Sequence, residues 1–282
     1  MRLSRRVPPL RGRVELPAVL GEVLIASAGA LLAYVLALWA LSLPLRDVSI
    51  VDPAWPVGFV IVAWLSFAIG DGCRGRRLLL AVLTSLWGLR LAAYLLARKL
   101  RERREDPRYG VMRERHGERF ALVSLASVFL LQGALMWVVS LPIQAAAPQP
   151  DRLGALDAVG GAAWAIGVFF EAVSDRQLAR FKADPSNRGR IMQAGLWRYT
   201  RHPNYFGDFM VWWGIYLIAL STGGAFWTIF APLVMSTLLI RVSGKDLLEA
   251  RMKERPGYRD YVARTSGFFP LPPRRSPRRS RR

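Results

Sequence analysis

Between Asp208 and Arg241 the chain carries 32 consecutive uncharged residues, Phe209 to Ile240. A single helix of that length would reach ~48 Å, well beyond the roughly 30 Å hydrocarbon core of a bilayer. Gly223-Gly224 falls near the middle of the run and is a turn signal, so the run predicts a tight helical hairpin. Other uncharged stretches approach bilayer-spanning length: Val23–Leu43, Pro53–Gly70, Leu78–Ala97 (broken only by Arg90) and Phe120–Ala147. A shorter run, Ala158–Phe170, lengthens to Gly154–Val173 if Asp157 and Glu171 sit near its ends. With 52% hydrophobic residues the chain is too apolar for an ordinary soluble domain. The expectation is an all-α integral membrane protein of about seven transmembrane helices. A hairpin returns the chain to its side of origin, so Asp208 and Arg241 end on one face. Arg241, Lys245 and Glu249, spaced four apart, then share one helical stripe.

The formal net charge is +20, concentrated in Arg98–Arg119, Arg176–Arg201 and the chain from Arg251 onward. The connections Ala147–Leu156 and Ser221–Gly224 are nearly free of basic residues. The positive-inside rule makes the basic regions, and with them the C-terminus, cytoplasmic. Counting back puts Arg46–Asp52 inside and the N-terminus outside. Five Arg in Met1–Arg13 and three in Asp71–Arg77 run against that count. The organisation expected is a basic segment over 1–22, one transmembrane domain over 23–270, and an Arg-rich disordered tail over 271–282. The tail suits anionic lipid at the inner leaflet, and nucleic acid has no other feature behind it. The N-terminus lacks the pattern of a cleaved signal peptide. A lone Cys73 excludes an intramolecular disulfide, and the chain is expected to be a monomer.

Chemistry concentrates in Gly195–Asp208, at the mouth of the last apolar run. This segment holds Arg198, Tyr199, Arg201, His202, Asn204, Tyr205 and Asp208. Polar groups kept at the edge of a membrane span generally bind something, and this mixture suits a phosphorylated or carboxylated ligand better than a metal. No metal site is expected, since the two histidines, His116 and His202, lack neighbours at ligand spacing. His116 reads as a surface residue. A Rossmann fingerprint, a phosphate-binding loop and a Gly-x-Ser-x-Gly elbow are all missing from the sequence.

Arg201-His202-Pro203-Asn204-Tyr205-Phe206-Gly207-Asp208 followed by Trp212-Trp213-Gly214 resembles the C-terminal domain of the steroid 5-alpha-reductase family, and its bacterial branch most closely. Ser174-Asp175, Arg190, Arg241, Asp52-Pro53-Ala54-Trp55 and Trp87-Gly88-Leu89-Arg90 fit the same pattern, so the similarity covers roughly residues 45–270. The resemblance implies a reductase of the cell membrane that takes NADPH from the cytoplasm and reduces a double bond conjugated with a carbonyl. Its cofactor-binding part would span about 155–262. The implied cofactor residues are Arg90, Asp175, Arg190, Tyr199, Arg201, His202, Asn204, Tyr205, Asp208, Arg241 and Lys245. Guanidinium groups suit the pyrophosphate and ribose phosphate, and Asp175, Asn204 and Asp208 suit ribose hydroxyls or the carboxamide.

Reducing an enone also needs a group that polarises the carbonyl as enolate charge develops. The family uses a glutamate and a tyrosine. Here Asp52 falls at the glutamate position and Trp87 at the tyrosine position. Indole can donate one hydrogen bond but no proton. Tyr94, four residues beyond Arg90, is the candidate substitute. Asp52 reads equally as a helix cap, and Trp87 equally as a packing aromatic. The substrate expected is a flat hydrophobic enone, steroid-like or fatty, entering from the bilayer. An Arg-His-Pro-x-Tyr-x-Gly block also occurs in membrane methyltransferases that hold S-adenosylmethionine, and a non-catalytic lipid- or sterol-binding protein is a third alternative.

Overall fold

The computed structural model describes residues 16–102, 104–242 and 245–274. Helix α1 spans Leu16–Leu45, α2 Val51–Ile69, α3 Arg74–Glu102 and α4 Pro107–Val139. A short α5, Leu141–Ala146, precedes α6, Ala155–Ala183. Then come α7 Pro203–Leu220, α8 Phe226–Val242, α9 Lys245–Met252 and α10 Tyr258–Arg264. The described residues are all-helical apart from one isolated parallel bridge, Thr200 to Ser266. Five helices, α1 to α4 and α6 with their flanking turns, are long and apolar enough to cross a membrane. Large apolar side chains such as Ile25, Leu86, Leu122, Ile166 and Phe169 point outward, as a lipid-facing surface requires.

The 32-residue run does break at its glycines: α7 ends at Leu220 and α8 begins at Phe226. Gly223 takes φ +67° in the turn, a conformation that costs glycine little. Three boundaries differ from the sequence expectation. The Phe120–Ala147 run is not one helix, because Ser140 ends α4 and Pro142 lacks the N–H needed to continue it; the chain restarts as the wholly buried α5. Residues 16–22, assigned to the basic segment, belong to α1, while 1–15 and the tail beyond 274 lie outside the described residues. Glu171 does not end its span. Helix α6 continues to Ala183, so the carboxylate lies inside the bundle and is buried.

The contrary arginines of the Asp71–Arg77 turn have structural employment. Arg76 is 0% exposed and pairs with Asp157 at 2.9 Å, with a further bond to the Arg152 carbonyl. Arg77 caps the end of α2 through the Phe67 and Gly70 carbonyls. Two of the three basic side chains are thus spent inside the protein.

Glycine sets how closely α6 and α7 approach. A Cβ on Gly207 would lie 2.5 Å from the Gly167 carbonyl oxygen, and one on Gly214 would lie 2.6 Å from that of Gly160. The antiparallel helices therefore touch backbone to backbone at two levels, which brings Asp208 against Glu171. Gly88 does the same for α3 against α2, with Pro56 O at 2.9 Å from its would-be Cβ. Gly207→Val is expected to destabilise the protein by roughly 1–3 kcal/mol or more, because backbone cannot yield as a side chain can. Detergent-solubilised unfolding of the variant beside Gly161→Val, whose position has open space, measures this.

Candidate functional site

The buried face of α3 presents Trp87 and Arg90, one turn apart, toward α6 and α7. Trp87 is 0% exposed and its Nε1 donates to Glu171 Oε2 at 3.0 Å. Its ring packs edge-on against Phe59 and Trp212. Arg90 pairs with Asp175 at 3.0 Å through Nη1 and closely with Glu171 through Nη2. Glu171 and Asp175 are spaced four apart on α6, so both face the same guanidinium. Asn204, in the first turn of α7, faces the Asp175 carboxylate, and Asp208 follows one turn later, buried. The indoles of Trp87 and Trp212 are turned toward Asp208. Among the described residues, however, Asp208 Oδ1, Trp212 Nε1, Arg90 Nε and the nearby Trp55 Nε1 complete no hydrogen bond. One partly exposed guanidinium thus serves two buried carboxylates, with a third, Asp208, nearby and donors and acceptors left over. Such arrangements need a proton or a polar ligand to balance them.

A second polar group joins the α1–α2 turn to the end of α3 and the start of α4. Lys99 binds Asp47 and Ser49, Glu105 accepts from Val48 N at 2.8 Å, and Arg113 binds Glu105 at 2.9 Å. These contacts clamp the α3–α4 turn onto the α1–α2 turn and set Asp52 opposite the start of α4. There Asp106 caps the helix, accepting from Arg108 N, with Pro107 next. Tyr109 Oη comes to 3.4 Å from Asp52 Oδ1, and Arg108 Nη2 to 3.6 Å from Oδ2. Asp52 sits in the first turn of α2 but accepts no cap bond there, since that helix has none.

The third group is outside the bundle. Arg201 makes a bidentate pair with Glu249 (3.0 and 3.2 Å) and donates to the Thr265 carbonyl at 2.6 Å. His202 meets Glu249 at 3.0 Å and stacks flat on Tyr205. Burial alone would raise the Glu249 carboxyl, but hydrogen bonds from His202 and Arg201 overcome it and hold the group at about 2. Burial keeps His202 below its ordinary value despite that bond. Residues 197–201 are strapped to the C-terminal segment: Arg201 N to Ser266 O, Thr200 Oγ1 to Phe268 O, Leu271 N to Tyr199 O, and Tyr261 Oη to Trp197 O. A cavity of about 250 Å³ opens beside this strap, lined by Arg201, Arg264, Thr265, Ser266 and Arg274.

Of the residues singled out from sequence, Trp87, Arg90, Asp175, Asn204 and Asp208 converge, while Asp52 meets Tyr109 and Arg108 instead. Arg201, His202 and Lys245 gather on Glu249 and Gly267 instead. Arg241, 76% exposed, faces Asp246 at 3.8 Å; Arg190 and Tyr199 are exposed. Sequence reasoning missed Glu171 as a site group and missed Tyr109. The first had a signal, the four-residue spacing to Asp175; the second had Asp106-Pro107 opening a helix two residues before it.

Fold and site define an all-helical protein of membrane-spanning helices with a buried arginine–carboxyl centre. The chain belongs to the family described as Protein of unknown function (DUF1295), whose model matches residues 38–265. It is 27% identical over 274 residues to uncharacterized protein C594.04c of Schizosaccharomyces pombe, covering 86% of this chain and 78% of that one. Over 82 residues it is 33% identical to rat 3-oxo-5-alpha-steroid 4-dehydrogenase 1, a match that takes in 29% of this chain and 30% of the rat enzyme. No solved structure matches the chain.

Proposed function

We propose that the protein is a membrane-embedded reductase that uses NADPH to reduce a carbonyl-conjugated double bond in a hydrophobic substrate. What carries the reading is the buried centre with its leftover groups. Asp208 Oδ1 can accept from an amide, while Trp212 Nε1 and Arg90 Nε can donate to a carbonyl. That is the complement of a nicotinamide carboxamide. Bound there, the cofactor would supply hydride. Asn204 and Asp175 would hold its ribose hydroxyls, and the exposed Arg98 and Arg101 at the end of α3 would offer charge to its phosphates. Trp87, fully packed, excludes water and fixes Glu171.

The short helices α7 and α8 complete seven crossings in this reading, with the three basic regions and the C-terminus cytoplasmic. Arg76, paired with Asp157 inside the fold, no longer opposes that orientation. The likeness to the rat steroid dehydrogenase supports the same chemistry, and the apolar flanks of α1 to α4 favour a substrate drawn from the bilayer. Titration calorimetry on detergent-purified protein is expected to show NADPH binding in preference to NADH, with none for S-adenosylmethionine. Binding of S-adenosylmethionine without NADPH would replace this reading with methyl transfer; binding of neither would leave a lipid-binding protein.

A further inference from the structure

The strap over residues 197–201 carries positive charge that the fold does not answer. Arg201 spends its charge on Glu249, but Arg264 and Arg274, which line the same cavity, pair with no carboxylate among the described residues. We propose that this cavity binds the phosphate of an anionic phospholipid, and that the bound lipid latches the strap. The inference goes beyond the reductase reading and does not depend on it.

Three observations carry it. The first is the placement of the cations. Arg274 N donates to the Arg264 carbonyl at 2.9 Å, which ties the end of α10 to the chain that leaves it. Arg264 reaches neutral partners only: its Nε donates to the Asp260 carbonyl at 3.1 Å and its Nη2 to Gln193 Oε1 at 3.3 Å. Guanidinium groups with N–H donors to spare suit phosphate oxygens, which accept from a planar fork.

The second is size. At about 250 Å³ the cavity falls short of the ~300–1,000 Å³ that holds a drug-sized molecule, so it takes a headgroup and not a dinucleotide. The third is position. Phe268 and Phe269 pack against Phe206 and Phe209 in the first two turns of α7, where the uncharged run begins. Phe269 and Leu271 are nevertheless 54% exposed, and Leu271 lines the cavity beside the two arginines. Open apolar side chains next to guanidinium groups, at the border of an apolar helix, match a lipid. Its phosphate would sit at Arg264 and Arg274, and its chains would run along Leu271 and Phe269. A soluble phosphate would use the charges and leave the apolar rim idle.

The same loop does the fastening. Tyr261 Oη holds the Trp197 carbonyl, Leu271 N holds that of Tyr199, and Arg201 donates to the Thr265 carbonyl. A phosphate joining Arg264 to Arg274 closes residues 264–274 on themselves and so resists opening of the strap by mass action.

The test uses the full chain in phosphatidylcholine nanodiscs, with phosphatidylglycerol, inorganic phosphate or neither added. Phosphatidylglycerol is expected to slow proteolysis between α9 and α10 roughly tenfold once it exceeds its Kd by about as much, and inorganic phosphate to leave the rate unchanged. Arg264→Gln with Arg274→Gln should abolish this protection and weaken phosphatidylglycerol binding, read by native mass spectrometry, roughly tenfold or more. Arg278→Gln with Arg279→Gln removes the same charge from the tail and should leave both readouts as in the parent. A parent that phosphatidylglycerol does not protect overturns the site. Equal loss in the two double variants overturns it in favour of bulk charge, and protection by inorganic phosphate equal to that by the lipid overturns it in favour of a free anion. Should the first pair fail to fold, Arg274→Gln alone serves, since that side chain makes no bond among the described residues. Parental protection in that variant overturns the assignment.

Discussion

Arg90→Leu is expected to destabilise the protein by roughly 3–5 kcal/mol, among the largest effects any single side chain here should have. The substitution keeps the helix propensity and most of the volume of α3, so the loss is electrostatic. Glu171, Asp175 and Asp208 would be left buried without their counter-charge, and at least two would have to take protons to remain folded. Adding Glu171→Gln should recover part of the loss, since one buried charge is removed with its partner. Chemical unfolding of both variants in detergent measures this; equal stability of Arg90→Leu and the parent would mean the centre is not closed as described.

Arg201→Ala should act on a different part of the molecule, with a cost of about 2–3 kcal/mol for its charged hydrogen bonds to Glu249 and to the Thr265 carbonyl. The expected sign is loss of the strap, visible as early proteolysis between α9 and α10, before any loss of the membrane helices. The same strap has an acid limit. Glu249 has its folded pKa depressed to about 2, so its contribution is fully present above its ordinary value near 4.5 and is lost as pH falls from there toward 2. Proteolysis across that window should expose the C-terminal segment of the parent progressively, while Glu249→Gln is susceptible throughout.

Helices and their hairpin were legible because uncharged length and paired glycines follow from bilayer thickness and backbone freedom alone. Phe209–Ile240 is the clearest case: its length exceeded one crossing and Gly223 marked the turn. The ends of α6 were not legible, because a buried Glu171 reads as a boundary until its partner Arg90, 81 positions earlier, is known to face it. The same limit applied to Arg76, which reads as a loop charge until Asp157 is found against it. Within the candidate site, Asn204 and Asp208 announced themselves as polar groups beginning an apolar helix. Arg201, in the same segment, looked equivalent to them. What separates it is a contact with Glu249, which sequence periodicity linked to Lys245 but could not direct at Arg201. Tyr109 stayed hidden because its neighbour Asp52 is brought to it by the clamp between two turns, a long-range event with no local pattern.

The strap over residues 197–201 also orders events in time. The segment bearing His202, Asn204 and Asp208 leaves the ribosome and enters its helix before Ser266, Phe268 and Leu271 exist to hold it. Insertion of the helices can therefore precede closure of the mouth of the site, which waits on residues 266–271. A released chain truncated before residue 266 would keep the residues of its buried centre but leave the rim of the site unlatched.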